Sequence, residues 1–108
     1  METTIAPAED YRRAELYFEM ADYVTAARIL AGVVAEYPRN LSVRLLLARS
    51  YYHSAQLGRA EAELRRVLEQ DPAEAYAHLL LGRTLQRRNR PAEAVPHLRM
   101  HAVMTGES

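Results

Sequence analysis

The sequence predicts an all-α fold of three tandem helix-turn-helix repeats, six antiparallel helices stacked as a short solenoid. Two observations predict it. First, the stretch Leu47–Pro72 (LARSYYHSAQLGRAEAELRRVLEQDP) matches itself at one constant offset in both directions, at Arg13–Pro38 and at Leu81–Gly106. A fixed period of about 34 residues means stacked supersecondary units, each burying its apolar face on its neighbours. Second, the offset preserves residue size column by column. Ala26, Ala60 and Ala94 are identical, as are Leu30, Leu64 and Leu98. Ala14, Ala48 and Gly82 are all small, while Tyr17, Tyr51 and Leu85 are all large and apolar. Val33 and Val67 correspond to His101, and Pro38 and Pro72 to Gly106.

Each element has its own local signals. Residues 1–7 carry no recurring apolar pattern and are expected to be a flexible tail. The domain then covers 8–106, with repeats at about 8–38, 39–72 and 73–106. Pro7 suits a helix start, where its missing N–H is not needed. The first helix is expected from Ala8 to Met20, with Tyr11, Ala14, Tyr17 and Phe18 at helical spacing. Asp22 caps a second helix from Tyr23 to Glu36, buried through Ala26, Ile29, Leu30, Val33 and Val34 and ended by Pro38. Asn40 caps a third, Leu41 to His53, with core residues Leu46, Leu47, Ser50 and Tyr51. Gln56-Leu57-Gly58 is expected to turn the chain into a fourth helix, Arg59 to Gln70, burying Ala60, Leu64, Val67 and Leu68. Asp71-Pro72 reads as a cap and first-turn proline for a fifth helix, Ala73 to Arg88, burying Ala77, Leu80, Leu81 and Leu85. Pro91 opens a sixth, Ala92 to Met104, in which Pro96 removes one early hydrogen bond.

The period, the small–large pattern and the closing proline resemble the tetratricopeptide repeat over roughly residues 8 to 106. The chain departs from that pattern where the family carries tryptophan: Asp10, Arg44 and His78 stand there. The resemblance implies a right-handed superhelix whose concave side, lined by the first helix of each repeat, takes up extended peptides or partner helices. Carried onto this sequence, the groove residues are Tyr11, Arg12, Glu15, Phe18 and Glu19 from the first helix. The third helix offers Leu45, Arg49, Tyr52 and His53, and the fifth Tyr76, Leu79, Arg83, Gln86 and Arg87. Aromatic and Arg side chains give contact area together with directed hydrogen bonds, which suits a binding hot spot. Some members clamp the C-terminal carboxylate of heat-shock chaperones, but Glu15 stands where Arg49 and Arg83 recur, so that clamp is not reproduced.

Charge refines the expectation. All 14 basic residues are Arg, balanced by 14 acids. Zero net charge argues against a general nucleic-acid binder. The balance runs from −4 over residues 1–38 (seven acids, three Arg) to +2 over 39–72 and +2 over 73–108. The expected partner is therefore a protein or peptide segment of acidic character. No apolar run approaches the ~20 residues of a membrane span, no secretory signal is visible, and there is no Cys, so a cytoplasmic protein is expected. Beyond the sixth helix the repeat pattern offers nothing to cover Val95, Leu98, Ala102 and Met104. Those residues form a candidate self-association face, and assembly through it is the alternative function.

Catalysis is not expected. Ser42, Ser50, Ser54 and Ser108 sit in no nucleophile motif, the glycines are scattered singly, and Glu61 and Glu63 read as solvated. No cofactor is implied. His97 and His101 share a helix face and His78 is expected opposite the end of that helix, but no acidic partner at ligand spacing accompanies them. A packing role is the simpler reading, and no metal site is assigned.

Overall fold

A computed structural model of the protein describes residues 7–107. Within it the chain forms six helices: α1 (Pro7–Glu19), α2 (Tyr23–Glu36), α3 (Leu41–His53), α4 (Leu57–Gln70), α5 (Ala75–Arg87) and α6 (Pro91–Met104). The expected tail lies outside the described residues, apart from Pro7, which starts α1. Each helix packs on the next in sequence, and α3 also touches α5. That nearest-neighbour pattern defines a repeat solenoid.

The core follows the repeat columns. Ala26, Ala60 and Ala94 are fully buried, as are Ala14 and Ala48, so the two helices of a repeat approach closely. Leu30, Val33 and Val34 of α2 pack with Val43, Leu46 and Leu47 of α3. Ala48, Leu64 and Val67 pack with Ala77, Leu80, Leu81 and Leu85. Ser50 and Thr84, at the same position of successive repeats, are buried polar groups that donate to the carbonyls of Leu46 (2.9 Å) and Leu80 (2.7 Å) in their own helices. This satisfies their hydroxyls locally. Leu16 occupies the same column in α1 and is exposed, because no helix among the described residues precedes α1.

The turns within repeats recur with the same period. Ala21, Ala55 and Asn89 adopt left-handed φ of 63°, 62° and 62°. After each, the chain closes a Schellman motif: Asp22 N–H donates to Tyr17 (2.8 Å), Gln56 to Tyr51 (2.8 Å) and Arg90 to Leu85 (2.9 Å). The following helices then begin at Tyr23, Leu57 and Pro91. α4 therefore starts two residues earlier than expected. The reversal is made at Ala55, and Gly58 lies inside the helix.

The turns between repeats differ. Asn40 N–H donates to the Tyr37 carbonyl (3.0 Å) and Glu74 N–H to Asp71 (3.2 Å), each spanning a proline. Asn40 caps α3 through Val43 N–H as expected, and Asp22 caps α2 through Thr25 N–H, both at 3.2 Å. Asp71 does not cap α5: its carboxylate accepts from Ala73 N–H (3.1 Å) in the turn, and the helix starts at Ala75. Pro72 is thus a turn residue, as Pro38 is. Pro96 is tolerated within α6.

Candidate protein-binding groove

α1, α3 and α5 are the first helices of the three repeats, so residues one period apart on them form rows that cross all three. One row reads Glu15, Arg49, Arg83, and another reads Glu19, His53, Arg87. Arg49 is central. Its guanidinium lies 4.7 Å over the Phe18 ring of α1 and 5.7 Å from the Tyr76 ring of α5, so one side chain from each repeat joins the stack. Its Nε is buried without a hydrogen-bond partner. With Glu15, Phe18, Glu19 and Leu46 it lines a shallow depression of about 220 Å³. Arg87 repeats the motif one turn on: it lies 4.7 Å over Tyr52 and donates to the Tyr52 carbonyl at 3.1 Å. A planar guanidinium on an aromatic face is held by attraction to the ring's electron density and keeps its edge free for hydrogen bonds.

His53 completes this aromatic group. It stacks on Tyr23 (centroids 4.9 Å apart, planes 25°) and meets Phe18 and Tyr52 edge-on, each at 5.5 Å. Burial, then the nearby charges of Arg49 and Arg87, hold its imidazole below the ordinary pKa. Tyr23 is the residue that the repeat-based reading of the groove missed. It belongs to α2, a second helix, and reaches His53 only because it is that helix's first residue. Toward the start of α1, Tyr11, Arg12 and Glu15 line a second depression with Asn40, Ser42 and Val43. Burial and then Glu15 raise the Tyr11 pKa. Leu45 and Tyr52 are half-buried against the second core cluster. Leu79 is half-buried, while Arg83 and Gln86 are exposed and take no part in the ring stack.

The remaining polar clusters brace the fold. Glu61, expected on a solvated face, is buried and accepts from Arg65 (2.9 Å), Arg88 (2.8 Å) and Arg90 (2.8 and 3.2 Å). Burial alone pushes its carboxyl up, but hydrogen bonds from Arg65 and Arg90 outweigh it and leave the pKa below the usual value. Glu63 is likewise paired, with the buried Arg44 at 2.6 Å. Sequence alone misplaces both acids because the partners that bury them lie 19 to 29 residues away.

Arg44 also donates to the Pro38 carbonyl (2.9 Å), and His78, its equivalent in the next repeat, contacts the Pro72 carbonyl through Nε2 at 2.8 Å. A carbonyl only accepts, so His78 Nε2 carries the proton. Its Nδ1 lies 3.1 Å from His97 Nδ1, and the two rings stack at 5.3 Å. The partner on α6 is therefore His97 in mid-helix, not the end of the helix. Among the described residues no group of three or more His, Cys, Asp or Glu is arranged to hold a metal ion. At the other end of the domain, Val95 and Met104 are exposed while Leu98 and Ala102 are half-buried.

Comparison with known proteins decides the family. A tetratricopeptide repeat model matches residues 17–83. The chain belongs to the tetratricopeptide repeat family. Solved structures share its fold. MamA from Desulfovibrio magneticus RS-1 superposes with a TM-score of 0.83 at 23% identity, over 92% of this chain and 56% of that one. MamA AMB-1 gives 0.87 at 20% identity, over 94% and 60%. A chain of a CopN-Scc3 complex gives 0.85 at 18% identity, over 91% and 58%. The chain thus spans little more than half the length of these structural relatives. No curated protein matches it in sequence. Tetratricopeptide repeats are non-catalytic protein-interaction folds, and protein partners are the general expectation for this member. No helix among the described residues is long and apolar enough to cross a membrane.

Proposed function

We propose that the chain is a non-catalytic adaptor that holds an extended segment of a partner protein in the concave groove, across α1, α3 and α5. The observation that carries this is Arg49, held between Phe18 and Tyr76 with its buried Nε unpartnered. A stacked guanidinium has already lost much of its rotamer freedom, so a carboxylate that meets it gains directed hydrogen bonds at reduced entropic cost. Arg83, in the same row, and Arg87, stacked on Tyr52, extend the basic surface, so the acceptor is acidic. The reading places the module in the cytoplasm, with a protein as partner and neither nucleic acid nor a bilayer. Replacing Arg49 and Arg83 together by Glu should leave helicity by circular dichroism unchanged and abolish capture of peptides that carry an acidic block from a random-sequence array. Retained capture would sink the groove assignment.

A second reading rests on α6, where Val95, Met100, Val103 and Met104 are 46, 43, 71 and 37% exposed. An apolar row of this kind suits association with a second copy. Light scattering against concentration tests it. A larger species that Val95→Glu returns to monomer supports assembly; a mass unchanged by the substitution counts against it.

A further inference from the structure

We infer that the groove selects a segment of two-signed charge, its basic end over α1 and its acidic end over α5, with the two ends five to six residues apart. This rests on the groove reading above and adds the order of charges along the partner. The observation is the sequence of charges in the two rows that cross the repeats. Glu15, Arg49 and Arg83 make one; Glu19, His53 and Arg87 make the other. At these positions α1 contributes two acids, α3 one guanidinium and a His53 ring whose pKa is lowered, and α5 two guanidiniums. The sign reverses from one end of the groove to the other, and the gradient repeats in both rows.

The reversal is not cancelled within the chain. Among the described residues Arg49 forms no ion pair, although Glu15 and Glu19 line the same depression. Its guanidinium is instead committed to the rings of Phe18 and Tyr76. Glu15, Glu19, Arg83 and Arg87 are all exposed and likewise form no salt bridge among the described residues. The contrast lies elsewhere in the same chain, where Glu61 collects Arg65, Arg88 and Arg90 and Glu63 takes Arg44. Those arginines find carboxylates; the ones in the two rows do not. Arg12 lies outside the two rows, with buried equivalents Leu46 and Leu80, but its own exposed side chain lines the depression near the start of α1 beside Tyr11 and Glu15.

The span follows from geometry. Packed helices lie about 8–10 Å apart, so two steps from α1 to α5 cover roughly 20 Å. An extended chain advances about 3.3–3.6 Å per residue, which gives about five to six residues between the charge blocks. A uniformly acidic segment would meet repulsion from Glu15 and Glu19, and a uniformly basic one repulsion from Arg49, Arg83 and Arg87. The groove therefore discriminates by repulsion as well as attraction.

Selection from a phage-displayed library of random 12-residue peptides tests this, run on the full chain and on a Glu15→Arg/Glu19→Arg variant. Both substituted side chains are exposed, and helicity is checked by circular dichroism. Peptides enriched on the natural chain should carry separate Lys/Arg and Asp/Glu blocks at the stated spacing. Those enriched on the variant should be acidic throughout. Synthetic copies of the first class should bind the variant about tenfold more weakly, the size expected for two partly exposed charge pairs turned repulsive. Acidic peptides from the natural chain, charges without order, or equal affinity for the variant would overturn the polarity while leaving the groove in place. Enriched peptides that still bind Arg49→Glu/Arg83→Glu protein, or no enrichment on either protein, would remove the groove reading and the polarity together.

Discussion

Replacing Glu61 by Gln keeps the shape of the side chain and removes the charge at the junction between the second and third repeats. The carboxylate is 10% exposed and accepts four hydrogen bonds from three arginines, whose side chains are 35–43% exposed. Fully buried, hydrogen bonds to charged groups would contribute about 1.5–3 kcal/mol each. Partners this exposed are screened by water, which brings each contact nearer the surface value of about 0.5 kcal/mol. Arg90 also retains Glu93, at 2.8 Å, when Glu61 is neutralised. With Arg90 held by Glu93, the pairs with Arg65 and Arg88 at that discounted value amount to about 1 kcal/mol. For a domain of this size the melting temperature should fall by roughly 4–8 °C. Thermal and urea unfolding by circular dichroism at low and at high salt measures it, and the difference should narrow at high salt. The pH dependence adds a second reading. The folded Glu61 pKa is lowered, so its contribution is present above the unfolded value of about 4.3 and lost as pH falls through the folded value. The natural and Gln proteins should therefore converge in stability as pH falls below the unfolded value and through the lowered folded one. A difference under about 0.5 kcal/mol at neutral pH and low salt would mean that the network is an ordinary surface cluster.

Two further substitutions probe the close approaches and the turns. A Cβ added at Gly82 would lie 2.5 Å from Leu98 Cδ2 and 2.6 Å from its Cγ. Gly82→Ala should therefore destabilise by about 1 kcal/mol despite its helix propensity, and Leu98→Ala in the same chain should relieve part of the loss. A gain in stability from Gly82→Ala alone would contradict the tight α5–α6 approach. Ala55→Gly should instead stabilise by about 0.5–1 kcal/mol, since left-handed φ strains alanine more than the added chain entropy of glycine costs. An unchanged urea midpoint would mean that the turn is not made at Ala55.

The sequence is most legible where a local signal acts alone. α2 and α3 begin and end where expected because Asp22 and Asn40 cap them and the left-handed turn or Pro38 bounds them. It misleads where two local signals compete. Gly58 draws the expected turn to itself, yet the left-handed residue is Ala55, at the position that Ala21 and Asn89 hold in the other repeats. Asp71-Pro72 carries the pattern of a helix start, but the same residues also make a proline turn, and the equivalence with Pro38 decides for the turn. The groove rows follow from the repeat offset. The stack of Tyr23 on His53 does not, since it joins residues in different columns, and only packing brings them together. The burial of Glu61 escapes sequence reading for the same reason.

The hydrogen bonds of Arg44 to the Pro38 carbonyl and of His78 to the Pro72 carbonyl tie α3 and α5 to the turns that join them to the preceding repeats. A large apolar ring at that column would hold the turn by bulk. Here the turn is held by a polar latch, tied in turn to Glu63 in one repeat and His97 in the next.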